Sequence, residues 1–205
     1  MSPHISKPNR LTWPLALTVA LAGIAWLLFQ RNAGLQPSVF ADEWYYSKFA
    51  RLMPLADSML PSYLYLWLFK ASSACGDGFL DCARIGNLAF FLGGAPFLFL
   101  LTRRYASAPV AFGISVLSTL APLNSFTVYF MPESMYYFGF CVLSWVALKG
   151  CDWRPALHAL ACGAVLGLMS QVKVHALFLL PALVPFLLAA SWQRGGAWFL
   201  RGIAM

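Results

Sequence analysis

Residues 11–29, "LTWPLALTVALAGIAWLLF", carry no charged side chain. They approach the ~20 apolar residues a helix needs to cross the hydrocarbon core of a bilayer. The stretch follows "HISKPNR", residues 4–10, a basic flank like the leading region of a signal peptide. It is longer than the roughly 7–15 apolar residues such a peptide contains, and the "RNAG" after it is a poor cleavage site. The reading is an uncleaved first spanning helix, and that makes the chain a membrane protein.

The composition agrees. Of 205 residues, 60% are hydrophobic and 10% are charged, where soluble chains carry about 25% charged residues. The mean hydropathy is +0.70. The net charge of +7 is scattered along the chain rather than gathered into a stripe. Orientation in a bilayer explains it better than a nucleic-acid partner does.

Further apolar segments fall at 62–73, 85–102, 109–130, 134–148, 156–170 and 174–191. Lys and Arg mark the inner loops. Lys7 and Arg10 put the N-terminus inside and the loop 31–60 outside, while Arg103 and Arg104 close segment 85–102 on the inside. Segment 62–73 is then too short to cross, and reads as a helix lying at, or dipping into, the outer surface. Lys149, Arg154, Arg194 and Arg201 fit the alternation that follows.

The expected fold is an all-α, polytopic membrane protein, one transmembrane domain over residues 1–205. It has about six spanning helices, outer-face juxtamembrane helices within the loop at 31–80, and "AWFLRGIAM" (197–205) as the start of a seventh span cut short. Its expected place is a cytoplasmic (inner) membrane, N-terminus inside. Every acid but Asp152 then lies outside. Acids contribute little to orientation, so their bias points to a polar site on the outer face.

Four stretches carry candidate chemistry. In "FADEWYYSKFARLMP" (40–54), Asp42 and Glu43 are adjacent and face different ways on any regular element. One is expected to point into a site while the other orients it. Taken alone, Asp42 reads as the N-cap of an amphipathic surface helix with Tyr46, Phe49, Ala50 and Met53 on one side. Glu133 in "VYFMPESMYY" begins a spanning segment after Pro132, where the helix dipole favours an acid. As a functional residue it is a second carboxylate on the same face as Asp42.

Lys173 in "LGLMSQVKVHALFLLP" interrupts two apolar segments, either as a functional intramembrane cation or as a snorkelling side chain. Gln171 and His175 lie near it in sequence. In "CGDGFLDCAR", Cys75 and Cys82 are read as a disulfide or two free thiols, because no standard zinc spacing is present. Arg84 follows at the outer start of a span.

The order of these features resembles the N-terminal half of the GT-C type, polyprenyl-phosphate-dependent glycosyltransferases, which include the protein O-mannosyltransferases and the lipid A aminoarabinose transferases. The likeness covers about residues 12–191. It rests on the acidic pair in the first outer loop, "LPSYLYLWLFKASS" after it, "LAPLNSFTVYFMPESMYYF", and the lysine between two apolar segments. It implies inverting transfer of a sugar from a polyprenyl phosphate to an acceptor glycan, lipid or protein on the outer or lumenal face.

By the resemblance, Asp42 is the catalytic base, Glu43 and Glu133 orient acceptor or donor, and Lys173 and then Arg84 bind the lipid phosphate. It calls for no cofactor and leaves a divalent metal open. Family members run to several hundred residues with roughly a dozen spans. A non-catalytic binding subunit or a carrier for a lipid-linked sugar is the alternative.

Overall fold

The structure, a computed structural model, describes residues 11–33, 35 and 41–193. Lys7, Arg10, Arg194, Arg201 and the start of a further span expected at 197–205 lie outside the described residues. Among those described there is no strand. Eight α-helices follow one another: α1 (Thr12–Ala33), α2 (Ala41–Arg51), α3 (Tyr63–Phe69), α4 (Phe79–Thr102), α5 (Ala108–Leu120), α6 (Glu133–Lys149), α7 (Pro155–Val172) and α8 (Leu180–Trp192).

Among the described residues four helical stretches are long and apolar enough to cross a membrane: Thr12–Ala33, Tyr63–Thr102, Pro155–Val172 and Val174–Trp192. Only 17% of the first and 6% of the last is buried in the protein. Leu15, Val19, Trp26, Leu160 and Phe178 are among the large apolar side chains left exposed. Lipid accommodates such faces, whereas water penalises them.

Two of the expected spans are not among these four. Segment 109–130 breaks after Leu120, leaving α5 with 13 residues. The cause is Pro122: the residue before a proline is pushed out of the helical region, and Ala121 is extended at φ −66°, ψ 160°. A 3₁₀ turn, Pro122–Thr127, and a strap without regular structure at 128–132 follow. α6 has 17 residues.

Segment 62–73 forms a short helix with one face packed inward. α3 buries Tyr65, Leu66 and Phe69 in the protein. A 3₁₀ segment, Lys70–Gly78, then turns the chain into α4 through Gly76 at φ +55°, a conformation that favours glycine. Cys75 and Cys82 are joined in a disulfide across this turn.

Contacts between helix ends define the topology. At one end Arg31 closes α1 and donates to Asn124 Oδ1 (2.6 Å) and Thr127 Oγ1 (3.1 Å), which follow α5. Lys173, just after α7, meets Glu133 at the start of α6. At the opposite end Arg104, after α4, donates to the Leu148 carbonyl near the end of α6 (3.0 Å). There too the His158 ring, early in α7, contacts the Ala147 carbonyl at 2.8 Å. Helices α1, α5 and α7 therefore run toward the first end, and α4 and α6 run away from it.

α4 is the central post, packing on α1, α5 and α6. Its close approach to α6 depends on Gly94, where an added Cβ would lie 2.9 Å from the Tyr137 ring and 3.2 Å from Cys141 Sγ. At Gly93 the nearest atom, on Phe138, is an ordinary 3.4 Å away. Gly94→Ala is therefore expected to destabilise the protein by about 1–3 kcal/mol through overpacking, and Gly93→Ala to leave it unchanged or firmer. Thermal unfolding of the two variants in the same detergent checks this.

Candidate polar site at one end of the bundle

The sequence of α2 suits a short helix, with Asp42 and Glu43 in its first turn and Lys48 and Arg51 in its last, as the helix dipole prefers. Glu43, Ser47 and Ala50, spaced i, i+4, i+7, are buried together with Phe49. Helix α2 is thus packed against the bundle by these residues, with Asp42, Trp44 and Tyr45 left exposed. Asp42 is inside the first turn and exposed, one step round the helix from Glu43. The adjacent acids do diverge, and the one that turns inward is Glu43.

Glu43 is 1% exposed and accepts a hydrogen bond from the Phe130 backbone N–H at 2.6 Å. The Phe130 ring packs 5.7 Å from Phe69, 6.1 Å from Tyr65 and 6.4 Å from Phe79. One carboxylate therefore fixes α2 to the strap that leads into α6. Glu43→Ala leaves a buried N–H without its acceptor and is expected to cost about 1.5–3 kcal/mol. Glu43→Gln keeps an acceptor oxygen and should lose less, as denaturant titration will show.

Glu133 opens α6, and its carboxylate reaches Lys173 Nζ at 2.6 Å. Their side chains are 16% and 29% exposed. Lys173 is extended at φ −155°, ψ 120°, ending α7 before the 3₁₀ segment Val174–Leu179. The pairing explains how a lysine is tolerated between two apolar segments. Glu133 Oε2 is buried and has no hydrogen-bond partner among the described residues, while the buried Tyr65 hydroxyl faces the Asn87 side chain.

Tyr46 lies within electrostatic reach of both the exposed acid and this pair. It lies four residues after Asp42, half-buried, with its ring edge-on to Tyr65 at 5.7 Å. Burial pushes the Tyr46 phenol above its ordinary pKa; Ser62 and Lys173 oppose that shift, while Glu133 and Asp42 add to it. Exposure falls steadily from Asp42 at the rim, through Tyr46 and the Glu133–Lys173 pair, to the fully buried Tyr65 and Asn87. Below the pair an apolar groove of about 160 Å³ runs between α6 and α7, lined by Met135, Phe138, Val165, Leu168 and Val172.

Arg84 is not part of this cluster. It is buried, donating through Nε to the Val128 carbonyl (3.1 Å) and through Nη1 to the carbonyls of Asn32 (3.0 Å) and Leu35 (3.4 Å) and to Asp81 (3.1 Å). Those bonds clasp the end of α1 to the strap, which corrects its expected role as a phosphate ligand. Gln171 and His175 are exposed and outside the cluster as well; the His175 ring packs on Phe178 at 5.7 Å.

Tyr65 and Asn87 escaped the sequence reading. Asn87, a lone amide within the apolar run "RIGNLAFFL", was the available signal; it donates to the Tyr129 carbonyl at 2.6 Å. Among the described residues no three His, Cys, Asp or Glu side chains are grouped so as to hold a metal ion. No family model, curated protein or solved structure matches this chain.

Proposed function

We propose that the chain is a membrane glycosyltransferase, or the part of one, that takes a sugar from a polyprenyl phosphate and passes it with inversion to an acceptor hydroxyl or amine. The observation that carries this reading is the Lys173–Glu133 pair beside an apolar groove, with the exposed carboxylate of Asp42 at the same end of the bundle. Lipid-linked phosphate chemistry needs that combination: a cation for the phosphate, an apolar path for the tail, and a base open to the aqueous acceptor.

In the proposed reaction Asp42 takes the acceptor proton as the acceptor attacks the anomeric carbon. The bond from that carbon to the phosphate oxygen breaks, and the leaving phosphate gains charge opposite Lys173. Glu43 positions the site by holding α2 to the strap. Arg84 braces it from behind.

The proposed orientation puts this end of the bundle outside. Arg103, Arg104, Lys149 and Arg154 gather at the other end, which fits the inner-side bias of basic residues. The Cys75–Cys82 disulfide at the site end fits an oxidising compartment. In this reading α5, with the strap after it, and α6 complete a set of six crossings.

The test is binding by the purified protein in nanodiscs of polyprenyl phosphate against the phosphate-free polyprenol. Saturable retention of the phosphate alone is expected; equal retention of both would sink the proposal. A labelled donor that crosses between leaflets intact would instead identify a carrier.

A further inference from the structure

The end of the bundle away from the polar site carries four exposed cations. They are Arg103 and Arg104 after α4, Lys149 at the end of α6 and Arg154 before α7. Asp152 is the only acid in residues 103–107 and 149–154. Two of the cations share it, for its Oδ2 is 3.1 Å from Lys149 Nζ and 3.5 Å from Arg104 Nη1. A single carboxylate against four cations leaves a surplus of positive charge. Tyr105 among them is 71% exposed, as suits an aromatic ring at the depth of lipid headgroups.

An apolar groove of about 280 Å³ meets this cluster. Phe140, Leu143, Ala147 and Leu148 of α6 line one wall, and Ala182 and Phe186 of α8 line the other. Leu148 belongs to both features: it lines the groove, and its carbonyl accepts the Arg104 bond at 3.0 Å. Lys149 is the next residue. Cations alone would only orient a span, and an apolar furrow alone could be filled by any lipid chain. Joined at Leu148, they match the two parts of one phospholipid.

We infer that this end binds an anionic phospholipid, with its phosphate on Arg104 and Lys149 and an acyl chain in the α6–α8 groove. Both cations keep N–H donors beyond those given to Asp152 and Leu148, so the headgroup adds to the existing contacts. A phosphatidylcholine headgroup would bring its quaternary ammonium up to Arg103 and Arg154, and the site therefore selects net negative charge. The inference is independent of the functional reading, and holds for whichever leaflet this end faces.

The experiment counts lipids retained by the purified full chain, by native mass spectrometry. The protein is exchanged in detergent with phosphatidylglycerol or with phosphatidylcholine of the same chain length. Retention of one phosphatidylglycerol, in preference to phosphatidylcholine, is expected. Arg104→Gln combined with Lys149→Gln should weaken that retention about 30-fold, the scale of removing two cations near an anionic headgroup. Ala182→Trp fills the groove and leaves every charge in place, and should weaken it several-fold. Ala182→Leu, a milder filling, should do the same to a smaller extent. Glycerol phosphate, a headgroup without tails, should not compete.

Equal retention of the two lipids overturns the inference, as does undiminished retention in the charge variant. Full retention in both Ala182 variants would show general attraction to a basic surface, and overturns it too. Competition by glycerol phosphate would mean an anion site with no place for a tail, with the same consequence. Size-exclusion profiles and thermal unfolding establish that each variant is folded.

Discussion

Asp42→Asn is expected to slow sugar transfer by roughly 10²–10⁴-fold, the usual contribution of a general base, while leaving donor binding and thermal stability as they are. Asp42 is exposed in the first turn of α2, and the neighbouring Glu43 already carries the structural load by accepting the Phe130 N–H. Asparagine keeps the shape and the helix but cannot take a proton. If Asp42→Asn instead lowered the unfolding temperature along with activity, Asp42 would be a structural acid and the base would have to be sought elsewhere. Paired measurements of turnover and unfolding separate these outcomes.

Lys173→Gln is expected to weaken donor binding and transfer together by about 10²–10³-fold, the scale of losing one fixed group that faces developing negative charge. This substitution also strips Glu133 of its partner, and a partly buried carboxylate left alone is destabilising. Some loss of stability should therefore accompany it. The double variant Lys173→Gln, Glu133→Gln removes both charges, and should regain stability without regaining donor affinity. Recovery of affinity in the double variant would mean that Lys173 had only been neutralising Glu133.

Much of this architecture was legible in the sequence because lipid imposes simple demands. The run from Thr12 to Phe29 is helical, Lys173 does break two apolar segments, and Tyr46, Phe49 and Ala50 of α2, with Met53 just after it, do turn toward the protein. What could not be read is long-range. Nothing local distinguishes Asp42 from Glu43, since both suit a first helical turn. The choice between them is made by the strap 87 residues away that offers its Phe130 N–H to one and not the other.

Arg84 presents the same difficulty in reverse. Beside apolar sequence it reads as a charge waiting for a ligand, yet backbone carbonyls freed by the end of α1 and by the strap occupy its Nε and Nη1 donors. Segment 109–130 was read through Pro122 as one span because its hydropathy is continuous. Backbone sterics, which a hydropathy count ignores, ended the helix two residues earlier.

The central claim is that the Asp42–Tyr46–Glu133–Lys173 end of the bundle moves a sugar off a lipid phosphate. The measurement that tests it most directly uses proteoliposomes carrying a polyprenyl phosphate with a labelled sugar, and follows release of free polyprenyl phosphate over time with a mixed acceptor extract added. Wild-type protein is expected to release polyprenyl phosphate and pass the label to acceptor, with Asp42→Asn binding the donor but releasing almost none. Equal release by wild type and Asp42→Asn, or donor bound and left intact by both, would contradict it.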